Sequence, residues 1–325
     1  MATAADIVAA HVLRWRTSED VDRARPLLVG LSGVQGAGKT TLVRKLADAL
    51  EQRGLRLVRT RAPVARRGEG MPALLTNGSC SALRAGLRPA PRRQVGMSLD
   101  DFYLPHGELA AVAVAHPDNA LLQHRGNAGT HDVGLLVATL DALRQLPTSA
   151  AAARATAQPA TASVAVPAFN KAAFGGEGDR VPREQWRVVT APVDVVLLEG
   201  WMLGFRARPA ADHGALAAIH PGLPTVNAAL EAYAPVWDRL DAFVQLAATS
   251  LDNVYGWRLQ AERELAAAAG TACMSDERVR SFVDGFMPAY RAYLPGLEAA
   301  PLCPTRRVRL VLGPDRSVVA RDPSA

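Results

Sequence analysis

The chain has 325 residues, 49% of them hydrophobic and 21% charged, with a formal net charge of +6 and three cysteines. That apolar share supports a sizeable buried core and excludes a disordered or fibrous chain, and no apolar run approaches the ~20 residues of a membrane-spanning helix. Cys80, Cys273 and Cys303 are odd in number and lack C-x-x-C spacing, which fits reduced thiols in a cytoplasmic protein and gives no sulfur-based metal centre.

Asp6, Glu19 and Asp20 stand where a secretory signal needs an apolar core, so no signal peptide is expected. The spacing of Ile7, Val8, Val12, Leu13 and Trp15 predicts a helix packed on the core instead. An apolar strand follows from Pro26, and then Gly33-Val34-Gln35-Gly36-Ala37-Gly38-Lys39-Thr40, which fits G-x-x-x-x-G-K-[ST] without mismatch. Glycines let such a loop turn tightly and aim its N–H groups at phosphate oxygens. The helix beginning near Thr41 adds its dipole, Lys39 reaches the β/γ-phosphates and the Thr40 hydroxyl suits Mg²⁺. Residues 33–41 are therefore the expected nucleotide site, with the helix ending near Gly54.

A second extended stretch begins at Leu55. Between Arg56 and Arg93 lie nine arginines and one acid, Glu69, a surplus of eight that leaves the rest of the chain near −2. The segment has no aromatics and carries four prolines. It reads as a basic surface loop, an insertion over 61–93, rather than as a nucleic-acid site.

The chain resumes as Gln94-Val-Gly-Met-Ser-Leu, then Asp100-Asp101-Phe102-Tyr103. Asp100 falls at the carboxyl end of an inferred strand, where ligands sit in open α/β sheets. A carboxylate there can orient and deprotonate an acceptor hydroxyl beside a γ-phosphate. Asp101 points elsewhere, to support the site or to cap the next turn. A helix is expected over 132–146, with Leu135, Leu136, Thr139, Leu140 and Leu143 on one face, and the Ala-rich tract over 148–165 reads as a flexible linker, helical at most in its first half.

Val193 to Glu199 forms a continuous apolar run, as a parallel strand buried on both faces requires. Glu199 closes it in the manner of a Walker B acid, placed to hold Mg²⁺, with Gly200 allowing close approach. Ala242 to Ala247 is a further strand, helices follow over 254–269 and 276–293, and Val308 to Leu312 is the last strand. Strands alternating with helices predict a doubly wound parallel α/β fold.

Three polar stretches remain. His124 to Asp132 and Phe169 to Arg180 either gather around a small anionic acceptor, with Arg125 offering a fork of donors, or serve locally, Thr130 or Asp132 capping the next helix. In the third, Arg258 and Glu262 lie one helical turn apart, either as a surface ion pair or on a lid helix whose Arg258 closes on the γ-phosphate. N-K-x-D and D-x-x-G are missing, which excludes a switch GTPase.

Six segments together carry a family resemblance: SLDDFYLP (98–105), DNALLQHRGNAGTHD (118–132), VPAFNKAAFGGEGDR (166–180), LLEGWMLGF (197–205), WRLQAE (257–262) and MSDERVRSFVDGFMPAYRAYLP (274–295). In this order they strongly resemble the D-glycerate 3-kinase family of plants, cyanobacteria and other bacteria, and a fungal kinase-like relative. That family is similar in turn to phosphoribulokinase, uridine kinase and bacterial pantothenate kinase. The resemblance implies one P-loop kinase domain over 1–325 with a lid and helical region over 254–295. It implies Mg·ATP as donor, D-glycerate as acceptor, Asp100 as catalytic base and Arg258 as lid arginine, with Arg263 as a second candidate. Asp101, Arg125, His131 and Lys171 are the candidates for glycerate. No nucleic-acid or membrane partner is expected, and a monomer or weak homo-oligomer is. The alternatives are a kinase of another small hydroxyl metabolite and an ATP-binding regulator without turnover. The basic and Ala-rich segments are longer than the family leads one to expect.

Overall fold

The structure is a computed structural model that describes residues 3–55, 59–61, 93–269 and 274–322. Helix α1 (Ala4–Thr17) begins in a reciprocal cap between Thr3 and Asp6 and buries Val8, Val12 and Trp15. Strand β1 (Leu27–Gly33), buried throughout, runs through the phosphate loop into α2 (Lys39–Glu51). Strands β2 (Arg59–Arg61) and β3 (Arg93–Val95) pair antiparallel with each other, Arg59 opposite Val95. The chain thus leaves and re-enters at one place. The basic segment between them lies outside the described residues.

Gly96, at φ +85°, separates β3 from β4 (Met97–Ser98). Then come α3 (His106–Ala115), α4 (Val133–Arg144) and α5 (Ala150–Ala155). Strands β5 (Ser163–Val166), β6 (Phe169–Asn170), β7 (Asp179–Arg180) and β8 (Arg187–Thr190) form two antiparallel pairs, β5 with β8 and β6 with β7. Strand β9 (Val195–Gly200) leads to α6 (His213–Ile219), α7 (Leu223–Leu230) and α8 (Ala234–Trp237). After β10 (Ala242–Ala248) come α9 (Asn253–Ala269), α10 (Asp276–Asp284), α11 (Met287–Ala299), β11 (Arg307–Leu312) and β12 (Val318–Arg321).

The central sheet has the order β12-β11-β10-β1-β9-β4, parallel except for β12. From β1 the chain winds first to β4 and β9 on one side, then to β10 and β11 on the other. This is the doubly wound arrangement expected, and it makes the carboxyl end of β1 a topological switch point, where α/β sheets bind ligands. Parallel strands covered on both faces must be apolar. Leu27, Val29, Val195 to Leu198 and Phe243 are accordingly within 1% of full burial.

Four expectations change. The tract over 148–165 is not a flexible linker throughout: its first half is helical, as the sequence allowed, with Ser149 capping α5 through the Ala152 N–H and Ala152 and Ala153 buried, and in its second half β5 pairs with β8. The helix expected over 276–293 is two helices, because α10 stops at Gly285 and Pro288, lacking an N–H, stands in the first turn of α11. The chain continues past β11 into the antiparallel β12. The strand preceding Asp100 is only two residues long. Among the described residues, no helix is long and apolar enough to cross a membrane.

Candidate active site

The phosphate loop turns on Gly36 (φ +74°) and Gly38 (φ +87°), conformations that side chains resist. At Gly36 there is no room either, since a Cβ would lie 2.5 Å from Trp257 Cβ and 2.9 Å from the Trp257 carbonyl carbon. The loop therefore packs closely on the second turn of α9, at Trp257 and Arg258. Lys39 folds back over the loop, its Nζ donating to the Gly33 carbonyl at 2.6 Å and the Val34 carbonyl at 3.1 Å. The Gln35 N–H donates to the Tyr290 hydroxyl at 2.9 Å. Thr40 and Thr41 are exposed at the start of α2, directly after the loop.

Beside the loop stands a group of four charges drawn from four parts of the chain. Asp100 sits in a 3₁₀ turn, Leu99–Phe102, at the end of β4. Its Oδ2 accepts from Lys171 Nζ at 2.5 Å and its Oδ1 from the Tyr103 hydroxyl at 3.1 Å. Burial presses the Asp100 carboxyl upward, but the Lys171 ammonium and the two hydrogen bonds outweigh it and hold the group below its ordinary value. Glu199 is level with Ser98 of β4 and Leu31 of β1. Burial raises its pKa against the pull of Lys39. Burial likewise lowers Lys39, opposed by Glu199 and Asp100. Gly200 lets this happen, since a Cβ there would lie 3.0 Å from Leu99 Cβ and push away the turn that carries Asp100.

Asp101 faces the other way. Its Oδ2 accepts from the Ser98 N–H at 3.0 Å and from the buried Arg187 guanidinium, closing a capping box on the turn. Burial raises its pKa despite Arg187. The two roles the sequence left open for it, support and capping, are both present: Asp101 caps the turn that carries Asp100 and ties it to Arg187.

The two polar stretches converge on Asp100. His131 is buried, its ring stacked on Tyr103 at 4.5 Å, with Nδ1 2.7 Å from the Tyr233 hydroxyl and Nε2 without a protein partner. Burial lowers its pKa to about 4, with Asp100 opposing, so the ring is neutral at pH 7. Asp132 caps α4 through the Leu135 N–H and pairs with Arg180 at 3.1 Å. Arg125 lies farther out, over the Phe169 ring, with one nitrogen donating to the carbonyls of Gly176 and Glu177.

Arg258 pairs with Glu262 at 2.9 Å and lies over Phe282. The ion pair the sequence suggested is present, and the backbone of the same residue lies against the phosphate loop at Gly36. Arg263 pairs with Asp276 on the surface, between α9 and α10.

Sequence reasoning missed Tyr103, Tyr233, Arg187 and Tyr290, each of which holds a site group. Tyr103 and Tyr290 lie inside segments that carry the family resemblance. Tyr233 and Arg187 leave no local signal, because their partners lie 102 and 86 residues away.

No protein-family model matches the chain. It is 37% identical over 295 residues to the chloroplastic D-glycerate 3-kinase of Arabidopsis thaliana, a match covering 90% of this chain and 53% of that protein. The chain thus spans about half the length of that plant relative. It is 32% identical over 300 residues to the uncharacterized kinase mug58 of Schizosaccharomyces pombe, covering 89% and 88%. Among solved structures, a D-glycerate 3-kinase from Cryptococcus neoformans var. grubii superposes with a TM-score of 0.76 at 29% identity, covering 99% of both chains.

Proposed function

The chain belongs to the D-glycerate 3-kinase family of P-loop kinases, and we propose on that premise that it transfers the γ-phosphoryl group of Mg·ATP to the 3-hydroxyl of D-glycerate. The observation that carries this reading is Asp100, ionised by Lys171 and set beside the phosphate-loop lysine at the carboxyl ends of the parallel strands.

Phosphoryl transfer needs positioning and charge neutralisation more than covalent help from the protein. Lys39 exchanges the loop carbonyls for β/γ-phosphate oxygens, and the loop amides hold the remainder. Thr40, Glu199 and Asp100 are hard oxygen donors of the kind Mg²⁺ accepts through one or two carboxylates together with substrate phosphates. Thr40 and Glu199 would hold the ion, which would neutralise charge between the phosphates. Asp100 accepts a hydrogen bond from the 3-hydroxyl and takes its proton as the oxygen attacks the γ-phosphorus and ADP departs. A carboxyl held below its ordinary pKa is a weak base, so its main contribution is orientation. His131, neutral and with Nε2 unpartnered, suits a hydroxyl better than a carboxylate and is assigned to the 2-hydroxyl. The substrate carboxylate falls to the cations Lys171 and Arg125. Arg258 would leave Glu262 to reach the γ-phosphate.

The test is ATP consumption across a panel of D-glycerate, L-glycerate, glycerol, pantothenate and uridine, with the product examined by NMR. D-Glycerate should be turned over far faster than the others and carry phosphate on the 3-position. Equal turnover of glycerol, pantothenate or uridine would remove the glycerate assignment. No ATP consumption with any acceptor would favour a regulator.

A further inference from the structure

The turn joining β11 to β12 lies far from the phosphate loop in sequence, and its side chain Arg316 reaches that loop. Arg316 Nε donates to the Gly36 carbonyl at 2.6 Å, one terminal nitrogen to the Trp257 carbonyl at 3.1 Å and the other to Gln260 Oε1 at 2.7 Å. The guanidinium also lies 5.6 Å from the centre of the Trp257 ring, whose Nε1 donates to the Pro314 carbonyl at 2.6 Å. One side chain therefore ties together the phosphate loop, the first turns of α9 and the C-terminal hairpin.

Its backbone shows what this arrangement sacrifices. Arg316 has φ +64°, the left-handed region in which glycine or asparagine rests easily and arginine does not. The turn supplies its own closure without the guanidinium: Gly313 N–H donates to the Ser317 carbonyl at 2.9 Å, and Asp315 accepts from Ser317. A residue kept in a disfavoured conformation points to a need for its side chain.

The Gly36 carbonyl is where that need lies. The peptide joining Gly36 to Ala37 is fixed at both ends, its carbonyl by Arg316 and its N–H by the Val34 carbonyl at 3.2 Å. This peptide sits between the two left-handed glycines that shape the loop. Charge-assisted hydrogen bonds from a planar fork set orientation as well as adding strength. We propose that Arg316 is a positioning residue for nucleotide binding, locking the phosphate loop and the start of α9 into one phosphate-ready arrangement. The inference rests on the nucleotide reading of the loop and not on the identity of the acceptor.

Arg316→Gly separates the two contributions, because it relieves the backbone while removing the clamp. The dissociation constant for Mg·ADP, followed by tryptophan fluorescence or calorimetry, should rise about tenfold, and the KM for ATP with it. The KM for the acceptor should stay within about twofold and Tm should be unchanged or higher. Arg316→Lys, which keeps the charge, should recover part of the affinity, and Arg316→Asn, which tolerates the turn, should behave as Arg316→Gly does. Mg·ADP affinity within twofold of the parent in both the Gly and Asn variants would overturn the proposal. So would a fall in Tm with both KM values rising together, the mark of a purely structural residue. A parent protein that binds Mg·ADP but phosphorylates nothing would sink the kinase reading and leave this one standing.

Discussion

On the phosphate side the groups that would face a ligand are chiefly peptide N–H groups, placed by Gly36 and Gly38 and helped by one lysine. On the acceptor side they are side chains, each held by a partner from a distant part of the chain: Asp100 by Lys171 and His131 by Tyr233. A backbone site depends on local conformation, so a short motif encodes it. A side-chain site depends on tertiary pairing, so its precision is spread over the whole fold. The two halves should therefore fail differently when altered.

The largest effect is expected where the acceptor side meets the chemistry. Asp100→Asn keeps the size and removes the charge, so kcat should fall by ~10²–10⁴ while the KM for ATP changes little. A rise in the KM for ATP matching the loss in kcat would erase the division between the halves. If Asp101→Asn lowers kcat more than Asp100→Asn does, the assignment of the two aspartates is reversed.

Next comes the support under Asp100. Arg187→Met leaves the Asp101 carboxylate buried without its partner, and breaking such a pair costs about 3–5 kcal/mol. Denaturant unfolding measures it. A loss below about 1 kcal/mol would show that pairing does not hold this half together.

His131 gives the comparison a pH signature. Its pKa is about 4 in the folded protein against 6.5 for an ordinary histidine. Below pH 6.5 the unfolded chain takes up a proton that the folded one refuses, so this contribution is complete above 6.5 and lost as pH falls towards 4. The difference in stability between the parent and His131→Gln should shrink over that window by about 3 kcal/mol. A pH-independent difference would mean that the ring is not buried neutral.

The smallest effect concerns the basic segment. Because β2 and β3 pair with each other, residues 63–91 can be replaced by a short turn with little change in loop-closure entropy, about 1 kcal/mol. The kcat/KM for both substrates should stay within about threefold. A large rise in the KM for ATP, reproduced in the parent by high salt, would show that the arginines help attract the nucleotide.

The same division explains what could be read from the sequence. Gly33 to Thr40, the buried runs of β1, β9 and β10, and the capping of α4 by Asp132 are local signals, and each is visible within a dozen residues. The two-residue β4 was legible only through the polar cluster that follows it. Arg187 carries no such signal, because nothing near it in the sequence shows that Asp101 is its partner. The Ala-rich tract misled because composition reports low complexity but not the pairing of β5 with β8, which a strand 24 residues downstream supplies. Arg258 is the intermediate case, since its i,i+4 acid was plain and its approach to Gly36 was not.

The C-terminal hairpin has a second consequence. Strand β11 would otherwise end the sheet with six residues of unpaired main chain, ready to accept a strand from another molecule. Strand β12 covers that flank antiparallel, with Leu310 opposite Arg321 and Val311 opposite Ala320. At the far side the sheet stops on the two residues of β4. Short, charged or covered edges are how sheets avoid adhering to one another. The strand that follows the Arg316 turn thus also protects solubility, and a chain cut before Val318 would lose that protection.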